Sequence, residues 1–271
     1  MLLPPAVGAG AGAGALAITL YAVALFYARK LWREQLTQYN RLLRILIAFG
    51  LLLHGLSLIS LIWRPNGFNA GLFAMLSASS ATTLAIAFSA SYWRPALNAL
   101  TPILLIAAIV CVPISHFFET NAPLNDLTVA QSGHILLSIT AWGTLIVAFV
   151  QSLMASIQSK SLKNHHANPK ISLPPLQTTE KILFESLALG WCLLSLSMAT
   201  GFIAFDDFFG QHLAHKAFFT VLAWILLTAV LFGHWFAGWR GHHALRLTRW
   251  GIALMLVGYL GSKIALELII Q

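Results

Sequence analysis

Residues 215–263 open with H-K-A-F-F-T-V-L-A-W, run through F-G-H-W-F-A-G-W-R-G at 232–241, and return through W-G-I-A-L-M-L-V-G-Y-L-G-S-K. The stretch holds two apolar segments of about 20 residues, the length that crosses a hydrocarbon core about 30 Å thick. A short basic turn separates the two segments and contains Arg240, Arg246 and Arg249. We therefore predict two membrane-spanning helices here, the first of which encloses one histidine, His234.

The whole chain has the composition of an integral membrane protein. Its 271 residues are 58% hydrophobic and 9% charged, whereas soluble domains carry about 25% charged residues. The net charge of +8 is spread over loops between apolar segments, so no nucleic-acid partner is expected, and the lipid bilayer is the predicted surroundings. Cys111 and Cys192 lie in separate apolar segments and form no C-x-x-C pair, which excludes a thiol redox or zinc motif.

Eight apolar segments predict an all-α fold, a polytopic membrane helix bundle with eight transmembrane helices, because none shows the alternation of a barrel strand. The predicted spans are about 6–28, 42–63, 70–92, 96–115, 128–157, 182–204, 217–238 and 247–268. Small residues at Gly8–Ala15 in the first span predict close approach of a neighbouring helix, although a flexible glycine-rich entry is the alternative. We predict a single integral membrane domain over 1–271, with a five-span half (about 1–157), a cytoplasmic loop (about 158–181) and a three-span half (about 182–271).

Basic residues orient this bundle. One set of loops contains Arg29, Lys30, Arg33, Arg41, Arg44, Arg94, Lys160, Lys163, Lys170, Lys181, Arg240, Arg246 and Arg249. The opposite side contains only Arg64, Lys216 and Lys263. The positive-inside rule makes the first side cytoplasmic and places both termini outside.

Three histidines lie inside predicted spans: His54, His134 and His234. The spans hold few buried carboxylates, which disfavours a proton-driven pump. A neutral imidazole in apolar surroundings suits the axial position of a haem iron, since that bond needs no charge partner. The alternative is that each histidine hydrogen-bonds a neighbouring helix.

Depth decides which histidines share an iron. At 1.5 Å per residue, His134 lies about 9 Å, His54 about 14 Å and His234 about 25 Å below the outer surface. His54 and His134 are thus expected to be close enough in height to bind one haem, with His234 a second site. Weaker candidates are the pair His165–His166 for a metal, Asp206–Asp207 for a cation, and the solvated helix-end histidines His116, His212 and His215.

The segment 130–265 resembles the cytochrome c assembly protein family of the CcsA type, and more closely its smaller HemX/YpjD-like inner-membrane branch. The resemblance rests on His134 followed by I-L-L-S-I-T-A-W-G-T-L, on L-P-P-L-Q-T-T-E-K-I-L-F at 173–184, and on the stretch quoted at the outset. It implies a multi-pass protein of the bacterial inner membrane. It also implies haem association for histidines at the positions of His134 and His234.

One departure from the family pattern bears on activity. Full haem-handling members carry a W-G-x-x-W-x-W-D segment before the lysine matching Lys216, whereas this chain reads F-D-D-F-F-G-Q-H-L-A-H. We therefore expect an accessory that binds haem b and works beside other cytochrome c assembly membrane proteins, rather than a haem lyase. A haem-free structural or regulatory membrane partner is the alternative, and a small-molecule transporter, which Gly190 and Gly201 in span six would serve as helix breaks, is a third.

Overall fold

The structure is a computed structural model that describes residues 5–33, 41–65, 67–118, 120, 122–124, 127–163, 173–204 and 211–264. Side chains are described within these ranges except at 5–9, 31–33, 123, 211–215 and 262. His165, His166, Asp206 and Asp207 lie outside the described residues, and so do the side chains of His212 and His215.

Helices make up nearly all of the described chain, as its composition predicts. They are α1 (Pro5–Arg33), α2 (Arg41–Ile62), α3 (Leu72–Ala90), α4 (Thr101–Phe117), α5 (Val129–Lys163), α6 (Leu176–Ala204), α7 (Gln211–Ala237), α8 (Gly241–Leu256) and α9 (Ser262–Ile264). A 3-10 helix, Pro95–Leu100, leads into α4, and a π-helical turn, Val257–Gly261, joins α8 to α9. In the described ranges, seven helices are long and apolar enough to cross a membrane. The chain is thus an all-α polytopic bundle.

The seven helices match the first seven predicted spans. The segment predicted as an eighth span, 247–268, begins within α8 and continues through the π-helical turn and α9, and its residues 265–268 lie outside the described residues. Helix α8 alone has 16 residues, fewer than the roughly 20 that cross a bilayer. The eighth crossing therefore stays a prediction.

The helices fall into two compact units, the first containing α1 to α4 and the second α5 to α9. In the first unit α1 packs along α2 and α4, and α3 packs on α4. Two glycines of α1 lie in this seam, as predicted for its small residues: a Cβ added to Gly10 would overlap Ser60, and one added to Gly14 would lie 3.0 Å from Ser57 Oγ. The single-domain prediction, which divided the chain at its longest polar connection, stays a prediction.

A small antiparallel sheet, absent from the prediction, closes one end of the first unit. Its strands are β1 (Trp63–Arg64), β2 (Gly67–Asn69) and β3 (Pro123–Leu124), paired in that order. The buried Asn69 fastens the sheet, because its amide donates to the carbonyls of Leu61 and Thr120 at 3.3 and 3.2 Å. Its Oδ1 accepts 3.0 Å bonds from the N–H groups of Gly71 and Ala122.

In the second unit α5 packs along α6, and α7 along α8. Leu145, Leu183, Leu187, Leu227 and Leu231 form its fully buried centre. Helix α6 runs unbroken through Gly190 and Gly201, so the helix breaks that the transporter reading needed are absent from it. Gly190 serves packing instead, because an added Cβ would lie 2.7 Å from Leu145 Cδ2.

Candidate functional site

His54 occupies a closed polar pocket in the first unit. Its side chain is 1% exposed. Its Nδ1 lies 3.3 Å from Tyr21 Oη and its Nε2 lies 2.9 Å from Ser77 Oγ. Both ring nitrogens therefore have hydroxyl partners, one from α1 and one from α3. An iron could bind either nitrogen only after displacing one of these hydroxyls.

His116 extends this polar cluster. Its Nε2 lies 2.7 Å from Ser57 Oγ, one turn from His54 on α2. His116 lies in the last turn of α4, the helix end that the sequence predicts. Its half-buried ring faces α1 and α2, with Nε2 3.1 Å from the position of a Cβ on Gly14. Its solvation by water stays a prediction.

His134 is held differently, near the start of α5 in the second unit. Its Nδ1 lies 2.8 Å from the backbone carbonyl oxygen of Ser197 on α6. A carbonyl only accepts, so Nδ1–H is the donor, and in the neutral ring Nε2 carries the lone pair. Ser138 Oγ approaches Nε2 at 3.4 Å and is itself bonded to Ser197 Oγ at 2.7 Å. Metal-binding histidines are oriented in this way, with the second ring nitrogen donating to a carbonyl or carboxylate.

His234 has the same arrangement near the end of α7. Its Nδ1 lies 2.9 Å from the carbonyl oxygen of Trp239, so Nδ1–H again donates and Nε2 keeps the lone pair in the neutral ring. The ring stacks on Phe184 of α6 at 3.5 Å between centroids and 7° between planes. The turn that supplies the Trp239 carbonyl passes through Gly238 at φ 64°, a left-handed conformation that glycine adopts without strain.

Trp239 stabilises this turn through its backbone and its side chain. The backbone N–H donates to the carbonyl of Gly233 at 2.9 Å. Its indole ring lies where a Cβ on Gly233 would stand. The sequence G-H-W-F-A-G-W-R-G thus builds a socket for the His234 ring from two glycines and a tryptophan.

His134 and His234 belong to opposite ends of the second unit. Lys216, near the start of α7, lies within electrostatic range of His134, and His234 follows 18 residues later in the same helix. At 1.5 Å per residue that separation is about 27 Å. One iron cannot bind both rings, in agreement with the predicted depths. The predicted sharing of one iron by His54 and His134 stays a prediction.

Two lysines and two aromatic rings surround the His134 end of the unit. Lys216 Nζ lies 5.2 Å and Lys263 Nζ 5.9 Å from the centroid of the Tyr259 ring. The Trp142 ring lies 5.8 Å from the same centroid. Sequence reasoning missed this cluster, because its members come from α5, α7, the π-helical turn and α9. The sequence did contain a signal for this cluster, because Lys216 and Lys263 are two of the three basic residues on the predicted outer side.

Deeper in the second unit, two tryptophans connect α6 and α7. Trp191 donates to Thr228 Oγ1 and Trp224 to Ser195 Oγ, each at 2.8 Å. The two rings stack 5.8 Å apart at 18°. Among the residues that the structure describes, no group of three or more His, Cys, Asp or Glu side chains could hold a metal ion.

Taken together, the helices and these imidazoles define a polytopic membrane protein with ionisable side chains held inside its bundle. The chain belongs to the cytochrome c assembly protein family, whose profile it matches over residues 42–270.

Two kinds of relatives show the extent of the similarity. The chain is 28% identical over 171 residues to the inner membrane protein YpjD of Escherichia coli strain K12, which covers 63% of this chain and 65% of that protein. It is also 28% identical over 140 residues, 51% of its own length and 52% of the relative's, to an uncharacterized 28.8 kDa protein in the nifR3-like 5′ region of Azospirillum brasilense. The chain thus covers less than two thirds of the length of each. No solved structure matches it significantly.

Proposed function

We propose that this protein binds haem b through His134 and assists cytochrome c assembly or haem handling in the bacterial inner membrane. The main observation in support of this proposal is the 2.8 Å hydrogen bond that Nδ1–H of His134 donates to the Ser197 carbonyl. This bond fixes the ring between α5 and α6 and leaves the lone pair of the neutral ring on Nε2, which lies 3.4 Å from Ser138 Oγ. Bound haem would supply an iron whose axial position accepts an imidazole nitrogen.

His234 is the second proposed haem ligand, at a separate site. Its tautomer is fixed by the Trp239 carbonyl and its plane by the stack on Phe184. His54 ranks below both, because its side chain is 1% exposed, whereas the rings of His134 and His234 are only half-buried. Ligation by His54 would also break one of its two bonds to hydroxyl groups, at a cost of about 1 kcal/mol. We keep His215 as a weaker candidate because it directly precedes Lys216.

The setting of this function is a membrane assembly. The name of the E. coli relative, an inner membrane protein, supports the same location for this chain. The proposed topology has eight crossings and both termini outside, as the basic residues of the loops predict. The partners are other membrane proteins of cytochrome c assembly. The tryptophan-free stretch before Lys216 favours an accessory that holds or passes haem over a lyase that attaches it.

A haem-free structural or regulatory partner is the second candidate. The observation in its favour is the use of His54 and His116 as packing groups, each hydrogen-bonded to a serine of a neighbouring helix. The same use of His134 and His234 would leave no haem ligand among the histidines that we have considered.

Visible absorption spectra of the full chain, purified in detergent after growth with added haem precursor, test the proposal. Wild type is expected to show a Soret band and sharp reduced α and β bands. His134→Ala should lose most of this absorbance, and His234→Ala should lose a separate fraction. His242→Ala, at an exposed position in the first turn of α8, is the matched control and should keep the wild-type spectrum.

The second candidate predicts a different result. A wild type that stays colourless, even after reconstitution with excess haem, would overturn the haem assignment and leave the structural partner. A spectrum that survives in both His134→Ala and His234→Ala would show that these histidines are not the ligands.

A further inference from the structure

Two lysines of the second unit converge on one tyrosine ring. Lys216 reaches Tyr259 from α7 and Lys263 reaches it from α9. Both ammonium groups lie within 6 Å of the same ring centroid, so they are at most about 11 Å apart. Like charges at such a distance repel. Cation–π contact with the Tyr259 ring offsets this repulsion in part.

An irregular stretch of backbone lies beside these cations. The π-helical turn Val257–Gly261 carries Tyr259 and directly precedes α9, which carries Lys263. Such turns are rare and often lie at functional sites. Gly258 in the same turn lets α7 approach closely, because an added Cβ would lie 2.6 Å from Phe219 Cβ.

The position of the lysines along the chain is unusual as well. The side predicted to be outer carries Arg64, Lys216 and Lys263 as its only basic residues, and two of these three meet at Tyr259. Cations on a membrane helix are costly, and those that face the interior of a bundle mark ligand paths. If the two lysines extended only to reach the membrane–water interface, their ammonium groups would not need to contact the same aromatic ring.

The neighbouring groups indicate the ligand. The Trp142 ring contacts Tyr259, and Trp142 lies eight residues, about 12 Å, from His134 along α5. The site thus combines two cations, flat aromatic rings and an imidazole. A planar molecule with two carboxylates at one edge satisfies all three, since ammonium groups bind carboxylates and rings stack on planar faces. A porphyrin with its two propionates is a molecule of that class.

We infer that Lys216 and Lys263 form a carboxylate-binding subsite that receives the two propionates of the porphyrin held at His134. This deepens the proposed function and rests on it for the identity of the ligand. The lysines would bind the carboxylates, whereas His134 would bind the iron. Binding of the carboxylates therefore does not require the metal.

Iron-free protoporphyrin IX tests the subsite separately from iron ligation. The full chain in nanodiscs of zwitterionic lipid is titrated with this diacid and with its dimethyl ester, and binding is followed by quenching of tryptophan fluorescence. Wild type should bind the diacid about tenfold or more tightly than the ester, because charge-assisted bonds are lost in the ester. Lys216→Gln and Lys263→Gln should each remove most of this preference.

Matched variants separate charge from general damage. Lys216→Arg keeps a cation and should retain the preference. Lys160→Gln, which removes an exposed lysine near the other end of α5, should behave as wild type. His134→Ala should keep the diacid preference while losing the haem spectrum. The binding data of a variant are used only if its elution profile in size-exclusion chromatography matches that of wild type, which shows that the variant is folded.

The outcomes distinguish the two proposals. Equal binding of diacid and ester, absence of binding by either, or a preference that survives in both glutamine variants would overturn the subsite. A histidine-dependent haem spectrum alongside any of these would leave the proposed function standing. A lysine-dependent diacid preference in a protein that never ligates haem would sustain the subsite and overturn the iron assignment.

Discussion

His54 is buried between two hydroxyl groups, so the loss of its ring is expected to lower the stability of the first unit. We predict that His54→Leu lowers the free energy of unfolding by about 1–3 kcal/mol, because Tyr21 and Ser77 lose their partner in a pocket closed to water. Thermal unfolding of the detergent-solubilised chain measures the change. The Soret band of the haem-loaded protein should stay as in wild type.

A double-mutant cycle with Ser77→Ala sharpens this test. Removing the serine hydroxyl together with the imidazole deletes both members of one bond, so the two losses should be less than additive. Additive losses would mean that the 2.9 Å contact contributes nothing. Loss of the Soret band in His54→Leu would instead make His54 an iron ligand.

At this scale the sequence singles out the histidines inside the spans but does not reveal their hydrogen-bond partners. A histidine inside an apolar span stands out, so His54, His134 and His234 could all be named. Their hydrogen-bond partners could not, because Ser197 lies 63 residues from His134 and Tyr21 lies 33 residues from His54. These partners depend on which helices pack against each other, and the hydropathy of a segment does not predict its neighbours.

Helix α1 offers a prediction at the scale of elements. Gly14 faces Ser57, Val112 and His116 at 3.0–3.2 Å from an added Cβ, whereas Gly12 has nothing within 4 Å. Gly14→Leu should therefore push α1 away from α2 and α4 and destabilise the first unit by about 1–3 kcal/mol. Gly12→Leu makes the same chemical change on the exposed face and should be nearly neutral. Thermal unfolding and protease sensitivity of the two variants give the comparison.

Equal stability of the two leucine variants would contradict the close seam and support the flexible glycine-rich entry. The seam itself was predictable, since small residues at alternate positions of a span favour close helix contact. The sheet was not. Its strands are two or three residues long, too short for a periodic pattern. The side chain of Asn69 holds them by bonding to three separate segments.

Over the whole molecule, hydropathy and charge predicted the seven long helices, because lipid forces each apolar segment to bond its own backbone. The C-terminal segment was harder to predict. Helix α8 begins at Gly241, inside the basic turn, and the regular helix ends at the π-helical turn beside Tyr259. Neither boundary is visible as a change in hydropathy, since the first follows from a glycine at φ 64° and the second from packing on α7.

The last prediction concerns whether α8, the π-helical turn and α9 together cross the bilayer. Residues 241–264 form 24 consecutive helical residues, which rise about 36 Å if each adds 1.5 Å. That length is enough to cross the hydrocarbon core despite the π-helical turn. Single-cysteine variants in a Cys111→Ser, Cys192→Ser background report the topology. A membrane-impermeant maleimide added to spheroplasts should label Gln271→Cys, whereas His243→Cys should react only after lysis.

The basic residues near the start of this segment predict which side of the membrane each of its ends occupies. Arg240, Arg246 and Arg249 hold the start of α8 at the cytoplasmic face by the positive-inside rule, so a full crossing places Lys263 and its subsite on the outer side. Labelling of both cysteines only after lysis would mean that the segment does not cross. The Lys216–Tyr259–Lys263 contacts would then need α7 to return to the cytoplasmic side, which a helix with an unbroken apolar span does not do. That result would therefore overturn the predicted topology as well as the eighth crossing.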